Sequence, residues 1–218
     1  MDFDLNTFMY GLATWAIPVL FAITLHEVAH GWVAHKLGDS TAKMLGRLSL
    51  NPIKHVDPIG TVAVPAVLLL INAPFLFGWA KPVPVNFRNL KNYRKDMILV
   101  AAAGPGANLI MAILWMLALS FSASWIGDEN IARGFMDMSR NGVVINLVLL
   151  VFNLLPIPPL DGGRVLSGVL PPSLSRVMDQ VEPYGMIIVV ALLYFGVLSA
   201  VMSPLVASLA ALLGHIFL

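Results

Sequence analysis

Three residues able to hold a metal or move a proton stand together at His26-Glu27-Val28-Ala29-His30. The pattern is H-E-x-x-H. At about 3.6 residues per helical turn, His26 and His30 lie one turn apart on one face, with Glu27 about 60° round from His30. Two imidazoles so placed can share one metal ion while the carboxylate reaches a water on it. Zinc suits such a set, because it takes imidazole and carboxylate ligands tetrahedrally and lowers the pKa of a bound water to about 7. Glu27 then reads as a general base, which takes that proton and later passes it to a leaving amine.

A third protein ligand is needed. His35 is a poor candidate, since five residues of helix turn it about 140° away from His30. It reads as an interfacial residue beside Lys36, and His55 and His215 read as ordinary polar residues. Asp161, in Asn153-Leu-Leu-Pro-Ile-Pro-Pro-Leu-Asp161-Gly-Gly-Arg164, is the better candidate. It follows an uncharged run, and two glycines let the backbone bend close to a ligand. The same aspartate could instead cap a helix that opens at Gly162.

The elements that position these residues follow from composition. Of 218 residues 58% are apolar and 11% charged, and the mean hydropathy is +0.83. A soluble globule averages roughly 45–50% apolar and about 25% charged. The chain is therefore membrane-embedded, and a soluble enzyme is excluded. The net charge of +1 gives no pointer to nucleic acid. The lack of cysteine excludes a disulfide framework, a Cys-based zinc site and a thiol nucleophile. Met-Asp-Phe-Asp carries no basic n-region, so no cleavable signal peptide is expected.

Five uncharged runs reach the roughly 20 residues of a span: Leu5–Leu25, Pro58–Ala80, Met97–Gly127, Asn141–Leu160 and Pro183–Leu218. The last is too long for one crossing, and Ser203-Pro204 is its expected break. With no internal repeat, residues 1–218 read as a single integral-membrane domain, an all-α polytopic bundle.

Charge sets the orientation. Lys36, Lys43, Arg47 and Lys54 precede the second run, and Lys81, Arg88, Lys91, Arg94 and Lys95 follow it. The positive-inside rule makes both flanks cytoplasmic. If Pro58–Ala80 crossed the bilayer, they would lie on opposite sides. The run also contains Pro58, Gly60, Pro65, Asn72 and Pro74. A re-entrant segment fits better, although an ordinary span with weak topology signals stays open. Counting crossings then brings Asp161 to the cytoplasmic end, at the depth of His26 and His30. This decides for Asp161 as the third ligand.

Together the pieces resemble the site-2 protease family of intramembrane zinc metalloproteases. They are His26-Glu27-Val-Ala-His30, Gly104-Pro-Gly106-Ala-Asn108, Asn153-x-x-Pro156 and Leu160-Asp161-Gly162. Gly78-Trp-Ala-Lys-Pro-Val-Pro-Val-Asn86 is similar to the membrane-associated β segment of bacterial members. The resemblance runs from about Leu25 to Arg164. It implies Zn2+ held by His26, His30 and Asp161, Glu27 as general base, and Asn153 holding the substrate carbonyl or its oxyanion. Nothing here resembles the PDZ or nucleotide-sensing domains of many members, so the chain reads as a minimal bacterial-type form.

Other residues keep two readings each. Asn108 either contacts substrate or hydrogen-bonds between helices. Gly104 and Gly106 allow close helix packing. Lys81–Asn86, alternating with prolines, is either an interfacial loop or an edge strand that pairs with an unwound substrate. The expected function is hydrolysis of peptide bonds within or beside transmembrane segments, in regulated intramembrane proteolysis or clearance of signal-peptide remnants. The partners are a transmembrane protein or peptide and the bilayer. The location is a bacterial inner membrane, with the active site toward the cytoplasm. A membrane metal transporter or channel lined by the His/Asp cluster is the alternative, and a catalytically silent scaffold is a third class.

Overall fold

The computed structural model describes residues 4–71, 73, 75, 77–125 and 128–218; Asn72 and Pro74, named above, lie outside them. Helix α1 (Leu5–Lys36) opens on an Asp4 carboxylate that accepts the N–H groups of Asn6 and Thr7. It closes at Gly38, whose φ of 121° turns the chain sharply. A one-turn α2 (Thr41–Met44), a π turn (Pro58–Ala63) and a short α3 (Val64–Leu70) follow. Then come α4 (Tyr93–Trp125), α5 (Glu129–Asn153), α6 (Asp161–Val169), α7 (Pro172–Tyr194) and α8 (Val197–Phe217). Five of these helices, α1, α4, α5, α7 and α8, are long and apolar enough to cross a membrane. Proline sits inside four of them, at Pro18, Pro105, Pro183 and Pro204. Neighbouring helices can satisfy the groups that such prolines free within a bilayer.

Helix α4 packs against α1 and α5, with α6 along it and α8 against both α5 and α4. The core between α4, α5 and α8 is Ala112, Met116, Leu119, Val143, Leu147, Leu150 and Leu213. Gly142 permits the approach of α4, because a Cβ there would overlap the Trp115 indole. Helix α7 packs on α6 and α8 and leaves Tyr184, Ile187 and Tyr194 more than 60% exposed. The fold is thus an all-α polytopic membrane bundle.

Two expectations change. The last apolar run breaks at Gly196, not at Ser203-Pro204. Gly196 takes φ 74°, and its N–H donates to Leu193 O at 3.0 Å, a glycine helix stop. Pro204 lies inside α8, which continues through it to Phe217. The run therefore gives two helices of near-equal length, with α7 reaching back to Pro172. There is also no β-strand among the described residues. Pro82 and Pro84 give the extended stretch too few donors for a ladder.

The two ends of Pro58–Ala80 lie together, as a re-entrant segment requires. Its helical part, Pro58–Leu70, is 13 residues by number and too short for a span. Its entry and exit bind each other. Trp79 N–H donates to Gly60 O at 3.1 Å, Thr61 Oγ1 to Trp79 O at 2.9 Å, and Lys81 N–H to His55 O at 2.9 Å. The chain thus returns to the level it left.

Candidate metal centre

Helical period places His26 and His30 on one face of α1, where their rings meet edge to face with centroids 4.7 Å apart. Asp161 comes from the first residue of α6. The residue that caps this helix is Leu160, and no side chain bonds the helix start, so Asp161 is not the cap. Gly162 and Gly163 bring α6 onto the preceding loop, for a Cβ at either would overlap the backbone of Leu154 or Pro158. Their role here is thus to seat the helix that carries Asp161.

The three side chains converge. The two Nε2 atoms are 3.0 Å apart, and Asp161 Oδ2 lies 3.3 Å from His26 Nε2 and 3.2 Å from His30 Nε2. Both imidazoles are oriented from behind. His30 Nδ1–H donates to Val100 O, and His26 Nδ1–H to Asn108 Oδ1, each at 2.7 Å. Val100 O can only accept, so His30 carries its proton on Nδ1. Two bare Nε2 lone pairs and a carboxylate oxygen then face one another. Asp161 Oδ2 is buried with no hydrogen-bond donor. Three acceptors so close repel unless a cation lies among them. Tetrahedral zinc with bonds of about 2.0–2.1 Å requires ligand atoms about 3.3–3.4 Å apart, so the residues fit the ion. Gly104 leaves room for them, since a Cβ there would overlap both imidazoles. Its absent side chain is a seat for the histidines and not only a helix contact. Gly106 meets nothing.

A cavity of about 410 Å³ opens on this cluster and is lined also by Glu27, Val85, Asn153 and Arg164. Glu27 Oε2 accepts the Val83 N–H at 2.7 Å. Asn153 Nδ2 donates back to Leu149 O at 3.0 Å. Asn108 is fully buried and does not line the cavity, so of its two readings the interhelical hydrogen bond is the one observed. His35 binds Ser40 and Lys43, away from the cluster. His55 is buried, its Nε2–H donating to Ser49 O at 2.8 Å.

Sequence reading missed the frame around the extended stretch. Arg47 donates to the carbonyls of Lys54, Lys81 and Pro82. At the other end the buried Asp39 accepts from the Asn86 N–H at 2.7 Å and from Asn89 Nδ2 at 2.8 Å. Burial would raise the Asp39 carboxyl. The Thr41 hydroxyl, the Asn89 amide and the N–H groups of Asn86 and Thr41 outweigh that and hold it below the usual carboxylate value. No sequence signal separates Asp39 or Arg47 from other loop charges.

Comparison with known proteins places this geometry. The model for Peptidase family M50 matches residues 127–196, which include Asn153 and Asp161. The chain is 42% identical over 192 residues to the Bacillus subtilis protein named "Putative zinc metalloprotease YwhC", across 87% of this chain and 84% of that one. It is 31% identical over 188 residues to "Putative zinc metalloprotease Rip2" of Mycolicibacterium smegmatis, across 86% of this chain and 68% of that one. The Mycobacterium tuberculosis H37Rv protein of the same name is 28% identical over 193 residues, across 86% and 67%. No solved structure matches. These relatives give no support to the transporter reading. A pair of histidines and an aspartate arranged for zinc, set in a bundle of apolar helices, agrees with relatives named as zinc metalloproteases, and the chain belongs to peptidase family M50, the intramembrane zinc metalloproteases of the site-2 protease type.

Proposed function

We propose that this chain, as one membrane domain over residues 1–218, cuts single-pass membrane proteins or signal-peptide remnants within or next to their transmembrane segments. His26, His30 and Asp161 hold the zinc. The observation that carries this reading is their convergence to 3.0–3.3 Å on one wall of a cavity that Glu27 also lines. Zinc supplies Lewis acidity, which polarises a carbonyl and lowers the pKa of water. Glu27 takes the proton of the attacking water and returns it to the leaving amine. Its Oε2 is fixed by Val83 N–H, while Oε1 has no partner among the described residues and is free for that proton. Asn153, with its second amide N–H, steadies the carbonyl under attack.

An intact helix encloses its peptide bonds, so the substrate must be extended where it is cut. Trp79, Lys81 and Val83 already donate to Gly60 O, His55 O and Glu27. Val85 N–H has no partner among the described residues, and Val85 lines the cavity. The substrate's main chain pairs there. One lost hydrogen bond of about 1–1.4 kcal/mol is worth fivefold to tenfold, so Val85→Pro should lower kcat/KM by about that factor with zinc retained. An unchanged kcat/KM in the folded variant would remove Val85 from substrate binding.

The site faces the cytoplasm across a bacterial inner membrane. The basic loops on both sides of the re-entrant segment support this orientation, as does the bonding of entry to exit. The native chain has no cysteine, so single cysteines at Lys54 and Lys91 are clean probes. Both should react with an impermeant thiol reagent from the cytoplasmic side alone. Labelling from opposite sides would defeat the orientation.

A further inference from the structure

Behind His26 a line of amides crosses three helices. Gly142 O on α5 accepts from Asn146 Nδ2 at 2.8 Å. Asn146 Oδ1 accepts from Asn108 Nδ2 on α4 at 2.9 Å. Asn108 Oδ1 accepts from His26 Nδ1 on α1 at 2.7 Å. Asn108 and Asn146 are 0% exposed, and His26 is 8% exposed. The direction of this line is not arbitrary. A main-chain carbonyl can only accept, so the end of Asn146 that meets Gly142 must be its NH2 group. Its oxygen then faces Asn108, whose NH2 must meet it. The oxygen of Asn108 therefore faces His26, whose Nδ1 must carry the proton. Only Nε2, toward the metal cluster, is left bare.

We infer that Asn146 is a positioning residue for the zinc site. It fixes the amide of Asn108 and, through it, the tautomer and ring angle of His26. The inference rests on His26 being a zinc ligand. Partners that hold a ligating histidine from behind typically cost about 10–100-fold in metal affinity when lost. Ala22 O also accepts from Asn108 Nδ2, at 3.3 Å, and retains part of the orientation. The effect of Asn146 therefore belongs at the lower end of that range.

The bland reading is that two buried asparagines merely glue helices together. It predicts a loss of stability with no change in metal affinity. The test is zinc affinity of the purified full chain in detergent, by competition with a chromophoric chelator. Asn146→Leu should weaken zinc about tenfold, and Asn146→Ser, too short to reach Asn108, should do the same if the leucine variant does not fold. Asn146→Asp should bind close to wild type. Its neutral carboxyl offers an O–H to Gly142 O and an oxygen to Asn108, a rescue that general helix glue does not explain. In an Asn108→Ala background, Asn146→Leu should add less than about twofold, because the route to His26 is already cut. Wild-type affinity in the folded leucine or serine variant would overturn the inference. So would a full tenfold loss in the Asn108→Ala background. Wild-type zinc affinity in His26→Ala would instead overturn the metal assignment itself, and this inference with it.

Discussion

Glu27→Gln should leave zinc and fold in place while turnover falls by about 10²–10⁴-fold, the usual contribution of a positioned general base. The substitution is nearly isosteric. A glutamine oxygen can still accept the Val83 N–H that Glu27 Oε2 takes at 2.7 Å, so the extended stretch keeps its anchor. What is lost is the ability to take a proton. The measurement is the rate at which a single-pass substrate is cut in liposomes, with zinc determined on the same samples. A scaffold would show no cleavage by either form. Full activity in the zinc-loaded variant would defeat Glu27 as the base, even in a protein that proved to be a protease. Zinc loss in the variant would place Glu27 among the ligands, which its absence from the converging atoms argues against.

The parts of the site legible in the sequence are those that helix period and membrane crossings dictate. The i, i+4 spacing alone puts His26 and His30 together. Asp161 required a chain of steps, in which the charges flanking Pro58–Ala80 turn the segment back and the remaining crossings bring Asp161 to the right end. The bonds from Trp79 to Gly60 and from Lys81 to His55 close that segment as expected. Partners set by packing between distant helices were not legible. Asn108 could be singled out as a buried amide, but its bond to His26 depends on how α1 and α4 approach. Asn146 gave no signal beyond its residue type. The proline–valine alternation did predict extended chain. It could not reveal that the free N–H groups bond Gly60, His55 and Glu27 instead of a strand. At the break in the last run, Pro204 is the expected signal, and Gly196 is where the chain turns. Inside a bilayer bundle a missing donor at Pro204 is tolerable, whereas the positive φ at Gly196 redirects the chain.

Asp161→Ala should abolish zinc retention, and the apo protein should show why. In wild type without metal, Asp161 Oδ2 is buried 3.2–3.3 Å from two imidazole nitrogens whose protons point the other way. That arrangement is unfavourable until a cation, whether a metal ion or a proton on one imidazole, lies between them. Removing the carboxylate relieves the crowding of acceptors, and α6 loses no cap, since Leu160 holds that position. The only helix term at risk is a negative charge in the first turn, worth about 0.3–1 kcal/mol at an exposed end. Apo Asp161→Ala should therefore unfold at close to the wild-type temperature, or slightly above it. Zinc should separate the two proteins. A ligand that binds only the folded state stabilises it by RT ln(1 + [L]/Kd), about 2.7 kcal/mol at one hundred times Kd. Wild type should gain that increment as zinc is added. The variant, with two protein ligands left, should gain little, and its affinity should fall by more than the roughly 10–100-fold cost of a supporting residue. Thermal unfolding across a zinc titration, with metal analysis of the same preparations, reads both effects. A variant that keeps one zinc per chain and the full thermal gain would exclude Asp161 as a ligand. One that is destabilised equally with and without zinc would make it a structural residue of α6.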